Sequence, residues 1–111
     1  MLRSRLGSRE GREALRLVGL WTEPEDVDAF EHDYLGSHLP QLDSLAGVQT
    51  IKTSRCIHGP YFRITELTFH ALDDIDAALG APIGKTILEQ AHALATKFGN
   101  RLEVLVVADS G

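Results

Sequence analysis

Cysteine is nearly absent from this chain. Cys56 is the only one in 111 residues, so no internal disulfide can form and nothing points to secretion. A structural zinc site needs four ligands, which one cysteine does not begin to supply. His32, His38, His58 and His70 are scattered without metal-ligand spacing, and no metal is expected. No apolar run approaches the roughly 18 residues of a membrane span, so the expectation is a cytoplasmic protein with no membrane contact. Glycine-rich phosphate turns are missing too. Gly80 to Thr86 ends in Gly-Lys-Thr, but Pro82 removes a backbone donor and Leu79 stands where a phosphate loop needs its first glycine. No bound organic cofactor is expected.

Excess positive charge is also lacking. The net charge is −5, and Arg3, Arg5, Arg9 and Arg12 against Glu10 and Glu13 give residues 1–13 a net +2, which leaves −7 for the other 98. An acidic body does not neutralise phosphates, so no nucleic-acid partner is expected. The tail, 1–13, reads as a disordered basic extension or as an Arg-rich targeting peptide; its glycines and alternating Ser and Arg supply no apolar face. The remainder, 14–111, reads as one domain, 43% hydrophobic and 24% charged for the whole chain, large enough for a core.

What is present is pattern. Ala14 to Trp21 is short and apolar, a buried strand. Thr22-Glu23-Pro24-Glu25-Asp26 predicts a helix start, and Val27, Phe30, Tyr34, Leu35 and His38 carry an amphipathic stripe to about residue 38, with one more turn from Pro40 to Leu45. Val48 to Ile57 and Pro60 to Phe69 are β-branched and aromatic, and His58-Gly59 between them predicts a tight hairpin. Leu72 to Leu79 is a short helix with Asp73, Asp74 and Asp76 at its positive end. Ile83, Ile87, Ala91, Leu94 and Phe98 share one face of a longer helix that stops at Gly99-Asn100, and Leu102 to Val107 is a last strand.

The order β-α-β-β-α-β is the ferredoxin-like α+β arrangement, with a four-stranded antiparallel sheet. Two helices cover one face of such a sheet. One register of the third strand presents Phe62 and Ile64, the other Tyr61, Leu67 and Phe69, so the second face is expected to be apolar. A second copy packed face to face would cover it and close an eight-stranded barrel, so a homodimer is expected.

Phe30-x-x-x-Tyr34-x-x-x-His38-Leu39-Pro40 is followed by Gly47, Pro60-Tyr61-Phe62, Glu66-Leu67-x-Phe69 and Ala81-Pro82-x-Gly84. In this order the residues resemble the EthD-like branch of the dimeric α+β barrel superfamily, over roughly 14–108. The resemblance implies a dimer with a pocket between sheet and helices, and relatives acting without cofactors on lactones, quinones or polyketide-type aromatics, or serving as accessory proteins. It implies a small apolar or aromatic ligand and carries function only weakly.

His38 is the foremost chemical candidate, either a general acid/base beside a carbonyl or a helix C-terminal cap. Tyr34, one turn earlier, either donates to a substrate oxygen or keeps its hydroxyl at the surface. Phe30 reads as core beside them and, with Phe62, as an apolar contact for the substrate, and Trp21 as a stacking surface or a residue packed under a loop. Glu66 and Arg63 are charges in an apolar strand and face opposite sides of the sheet, each read as a substrate contact or an intersubunit ion pair. In Cys56-x-His58 the cysteine reads as buried or at a strand edge rather than as a thiolate activated by the imidazole. The expected chemistry is cofactor-independent isomerisation, dehydration or oxygen-dependent oxidation of a small carbonyl or aromatic compound; the alternative is a non-catalytic ligand-binding or accessory homodimer.

Overall fold

Leu15, Leu17, Gly19 and Trp21 alternate with Arg16, Val18 and Leu20 along β1 (Leu15–Trp21), and the period of two sends each set to its own side of a sheet. The computed structural model describes residues 15–109, so the basic tail expected over 1–13 lies outside the described residues. β2 (Thr50–Arg55), β3 (Arg63–Phe69) and β4 (Leu102–Ala108) complete an antiparallel sheet in the order β2-β3-β1-β4. The architecture is the ferredoxin-like α+β fold expected from the element order.

The register decides which residues look at the helices. Leu17 pairs with Leu67, Gly19 with Thr65 and Trp21 with Arg63, and all of these face the helical layer. Val18, Leu20, Ile64, Leu105 and Val107 share the opposite side with Arg16, Glu66, Glu103, Lys52 and Thr50. That side is apolar towards β1 and β4 and polar towards β2. Phe62, expected within a strand beside Ile64, precedes β3 and packs in the core against Phe30, with ring centroids 6.0 Å apart.

The first helix starts later than Thr22. The Thr22 amide donates to the Arg101 carbonyl at 2.9 Å and the Glu25 amide to the Phe98 carbonyl at 2.9 Å, which holds this segment extended. Asp26 is the cap instead, its carboxylate accepting from the Ala29 amide at 3.1 Å ahead of α1 (Val27–Asp33). At Tyr34 the helix widens into a π turn (Tyr34–His38), in which the Leu39 amide donates to the Tyr34 carbonyl five residues back. Pro40 accounts for the widening. It has no N–H for an α-type bond, and it sits in the first turn of the next stretch, α2 (Leu39–Gln41), where none is needed. A 3₁₀ turn (Leu42–Ser44) closes the segment.

The expected two-residue hairpin is a seven-residue loop from Cys56 to Phe62, closed by the Cys56 amide on the Phe62 carbonyl at 2.8 Å. Pro60 cannot donate to a ladder, and Gly59 takes a φ of 106°, which suits glycine alone. α3 (Leu72–Gly80) and α4 (Pro82–Lys97) then cross closely at Gly84, where an added Cβ would lie 1.8 Å from the Ala78 carbonyl oxygen. Two core clusters result: one around Leu17, Leu67, Phe69 and Ile75, the other around Trp21, Phe30, Tyr34 and Phe98.

Candidate ligand pocket

Where the two clusters meet, the helical layer does not fill the space above the sheet. Gly19 contributes no side chain there, and its neighbour across the ladder is only a threonine, Thr65. The result is a cavity of about 60 Å³, lined by apolar side chains together with Trp21, Thr65 and His38. Its wall reaches Val104 on the partly exposed edge strand β4. An apolar cavity of about 150 Å³ holds benzene, so this one, in the shape seen, suits a ligand of only a few non-hydrogen atoms.

Trp21, at the end of β1, anchors the aromatic wall. Its indole meets Phe30, Tyr34 and His38 edge-on at centroid distances of 5.5, 5.6 and 5.6 Å, while Phe30 and Tyr34 stack at 5.7 Å. The π turn keeps His38 on this face, 5.7 Å from the Tyr34 ring. His38 is 7% exposed, and its Nδ1 is buried with no hydrogen-bond partner. Burial holds its pKa below the ordinary imidazole value, so the ring is neutral at pH 7. The helical path runs on to Ser44, so this imidazole does not stand at a helix end and the capping role considered from sequence has no helix terminus to serve. His38 also lines an outer groove of about 370 Å³, which it shares with Asp33, Ser37, Gln41, Gln90 and Lys97.

Behind the cavity lies a continuous polar chain. Trp21 Nε1 donates to Thr65 Oγ1 at 3.1 Å, and Thr65 Oγ1 is bonded to Tyr34 Oη. Tyr34 Oη is 2.9 Å from Thr53 Oγ1, which accepts from Arg63 Nη1 at 2.8 Å. Arg63 grips Glu31 with two donors, Nε to Oε1 at 2.9 Å and Nη2 to Oε2, and its guanidinium lies 4.9 Å from the Tyr34 ring centre. Burial pushes the Tyr34 phenol up, against the opposing pull of Thr53, Thr65 and Arg63, so it stays protonated.

The six candidates read from sequence do not form one surface. His38 and Trp21 line the cavity; Phe30 and Tyr34 back it, the Tyr34 hydroxyl standing behind Thr65. Phe62 lies beyond Phe30 under the Arg55 guanidinium, 4.2 Å from its ring centre. Glu66 is on the other face of the sheet, paired with Arg16 at 2.7 Å, and cannot meet a ligand held by His38 in the same chain. Arg63, read as a partner for a second subunit, is satisfied inside its own chain by Glu31. Cys56 and His58 lie in the loop between β2 and β3 rather than on a strand. Among the described residues no group of three or more His, Cys, Asp or Glu side chains is placed to hold a metal, and no helix is long and apolar enough to cross a membrane. Sequence reasoning missed Thr65, Thr53 and Glu31. The signal for Thr65 was present: a hydroxyl on the inward parity of Arg63-x-Thr65-x-Leu67-x-Phe69.

No family model matches the sequence, and no curated protein is a significant match. Solved structures do match. An EthD family protein from Bacillus halodurans superposes with a TM-score of 0.79 at 22% identity, covering 87% of this chain and 99% of that one. SnoaB, a cofactor-independent oxygenase from Streptomyces nogalater, gives 0.67 at 15%, covering 88% and 94%. A hydroxynitrile lyase from Passiflora edulis gives 0.64 at 14%, also covering 88% and 94%. The chain therefore shares the ferredoxin-like α+β fold of an EthD family protein, a fold that also carries small-molecule enzymes.

Proposed function

We propose that this chain is a small-molecule enzyme of catabolic or secondary metabolism, in which His38 moves a proton at a carbon beside the carbonyl of a small apolar compound. The observation that carries this reading is the imidazole itself, buried, unpartnered at Nδ1 and set in the wall of a largely apolar cavity. A neutral imidazole is the form that accepts a proton. Its unprotonated nitrogen takes the proton, the C–H electron pair becomes a C=C bond, and the carbonyl π pair moves to oxygen as an enolate. Where the substrate carries a β,γ C=C bond the enolate is conjugated, and return of that proton to the γ carbon gives an isomer and restores the histidine; in a simple ketone the proton returns to the carbon it left. The step requires no bound cofactor, and the two enzymes of the same fold support small-molecule chemistry here.

The test is α-proton exchange of acetone in D₂O, followed by NMR. The protein accelerates exchange over buffer, and His38→Gln returns it to the buffer rate. Equal rates for the two proteins would remove the mechanism. Saturable acetone binding without exchange would identify a ligand-binding or accessory protein instead.

A homodimer is proposed on separate grounds. Val18, Leu20, Ile64, Leu105 and Val107 lie together on the sheet face that the helices leave open. Native mass spectrometry is expected to give the dimer mass, and a monomer at micromolar concentration would overturn the barrel.

A further inference from the structure

We infer that Thr65 is the group that binds a substrate's carbonyl oxygen, and that Arg63, Thr53 and Tyr34 are positioning residues that aim its hydroxyl hydrogen into the cavity. The inference rests on the cavity being the site proposed above, and it concerns which side chain receives the oxygen.

Thr53, Tyr34 and Thr65 form a row of three hydroxyls joined by two hydrogen bonds. Each hydroxyl has one hydrogen, so one of the three is left over whichever way the row points. The ends of the row are both fed by groups that only donate, Arg63 Nη1 into Thr53 and Trp21 Nε1 into Thr65. One end carries a full positive charge and the other does not. A donor with a guanidinium behind it polarises the hydroxyl it feeds, so Thr53 donates to Tyr34 and Tyr34 donates to Thr65. Phenols are better donors than alkyl hydroxyls, which disfavours the remaining arrangement, in which Tyr34 would accept from both threonines.

At the far end Thr65 Oγ1 accepts twice, from Trp21 and from Tyr34, and both lone pairs are used. Its own hydrogen is the one left over, and it makes no third hydrogen bond among the described residues. Thr65 lines the cavity and Tyr34 does not. Among the described residues the other polar ones on that wall are His38 and Trp21, and the Trp21 N–H is already spent on Thr65. A carbonyl oxygen entering the cavity therefore finds one directed O–H donor, in the same chamber as the imidazole. As negative charge builds on that oxygen, the chain back to Arg63 responds without water having to reorganise.

The experiment uses the full chain with two probes of nearly equal shape, [2-¹³C]acetone and isobutene, which lacks an acceptor. Wild type binds both, and the bound acetone carbonyl resonance moves downfield of its free position. Thr65→Val is expected to weaken acetone about tenfold, to abolish the downfield shift and to leave isobutene unchanged, while Thr65→Ser restores both acetone readouts. Thr53→Val, which leaves the cavity wall intact, is expected to shrink the downfield shift with isobutene binding unaltered, and it decides the matter should Thr65→Val fail to fold. An unchanged carbonyl shift and acetone affinity in Thr65→Val, or an unchanged shift in Thr53→Val, would overturn the inference. Acetone held by Thr65 with no His38-dependent exchange would support it while overturning the proton-transfer reading. Failure of wild type to bind either probe would overturn both.

Discussion

Arg63 and Glu31 meet between β3 and α1, with Arg63 Nε donating to Glu31 Oε1 at 2.9 Å and a second bond parallel to it. The Arg63 side chain is 6% exposed and that of Glu31 18%, so the pair tethers the first helix to the sheet from inside. Arg55, 3.8 Å from Glu31, supplies a weaker second cation.

Removing Arg63 leaves the Glu31 carboxylate largely buried with only that distant partner. Arg63→Met is expected to lose about 2–3 kcal/mol of stability, below the usual range for breaking a buried pair because Arg55 remains. Glu31→Gln combined with Arg63→Met should recover part of the loss. Urea denaturation of the two variants checks this, and a double variant less stable than the single one would refute it.

His38 has a pH signature. Its folded pKa lies below its unfolded value because burial disfavours the charged ring. The unfolded chain therefore binds more protons as pH drops through about 6.5, and stability falls in that window. His38→Gln should remove this share of the slope in denaturation measured across the same range.

Gly84 is the point of closest approach between α3 and α4. A methyl group there meets the Ala78 carbonyl oxygen, which belongs to backbone and cannot turn aside. Gly84→Ala is expected to cost about 3 kcal/mol despite the better helix propensity of alanine, a loss visible as a lower Tm.

Gly19 tests the cavity rather than the fold. An added Cβ would sit 3.3 Å from Leu102 Cδ1 and 3.6 Å from Trp21 Nε1, and the leucine tip can move. Gly19→Ala is expected to keep stability within about 1 kcal/mol while weakening acetone and isobutene alike. Tighter binding of either probe would place the ligand elsewhere.

Strand and helix order were legible because they follow from local period. Leu17, Gly19 and Trp21 alternate in sequence as they do in the sheet, and Ile87, Ala91 and Leu94 mark the buried face of α4 as their spacing requires. The start of α1 was not legible. Thr22 is as good a cap as Asp26 by composition, and the choice was made by the Phe98 and Arg101 carbonyls, which belong to the far end of the chain. The loop from Cys56 to Phe62 departs from the local pattern for a related reason: His58-Gly59 fits a tight turn, but Phe62 packs on Phe30 and so leaves the ladder.

The chain by itself determined the ferredoxin-like order, the acidic body and the helix face that carries Phe30, Tyr34 and His38, since these depend on residues near one another in sequence. Only the tertiary structure decided that Tyr34 stands behind Thr65, that Arg63 pairs with Glu31 and that Glu66 lies on the far side of the sheet. Each of those facts is a meeting of segments 31 to 50 residues apart. Periodicity assigns a side chain to a face, but which group waits there for it is set by strand register and by how the helices settle on the sheet.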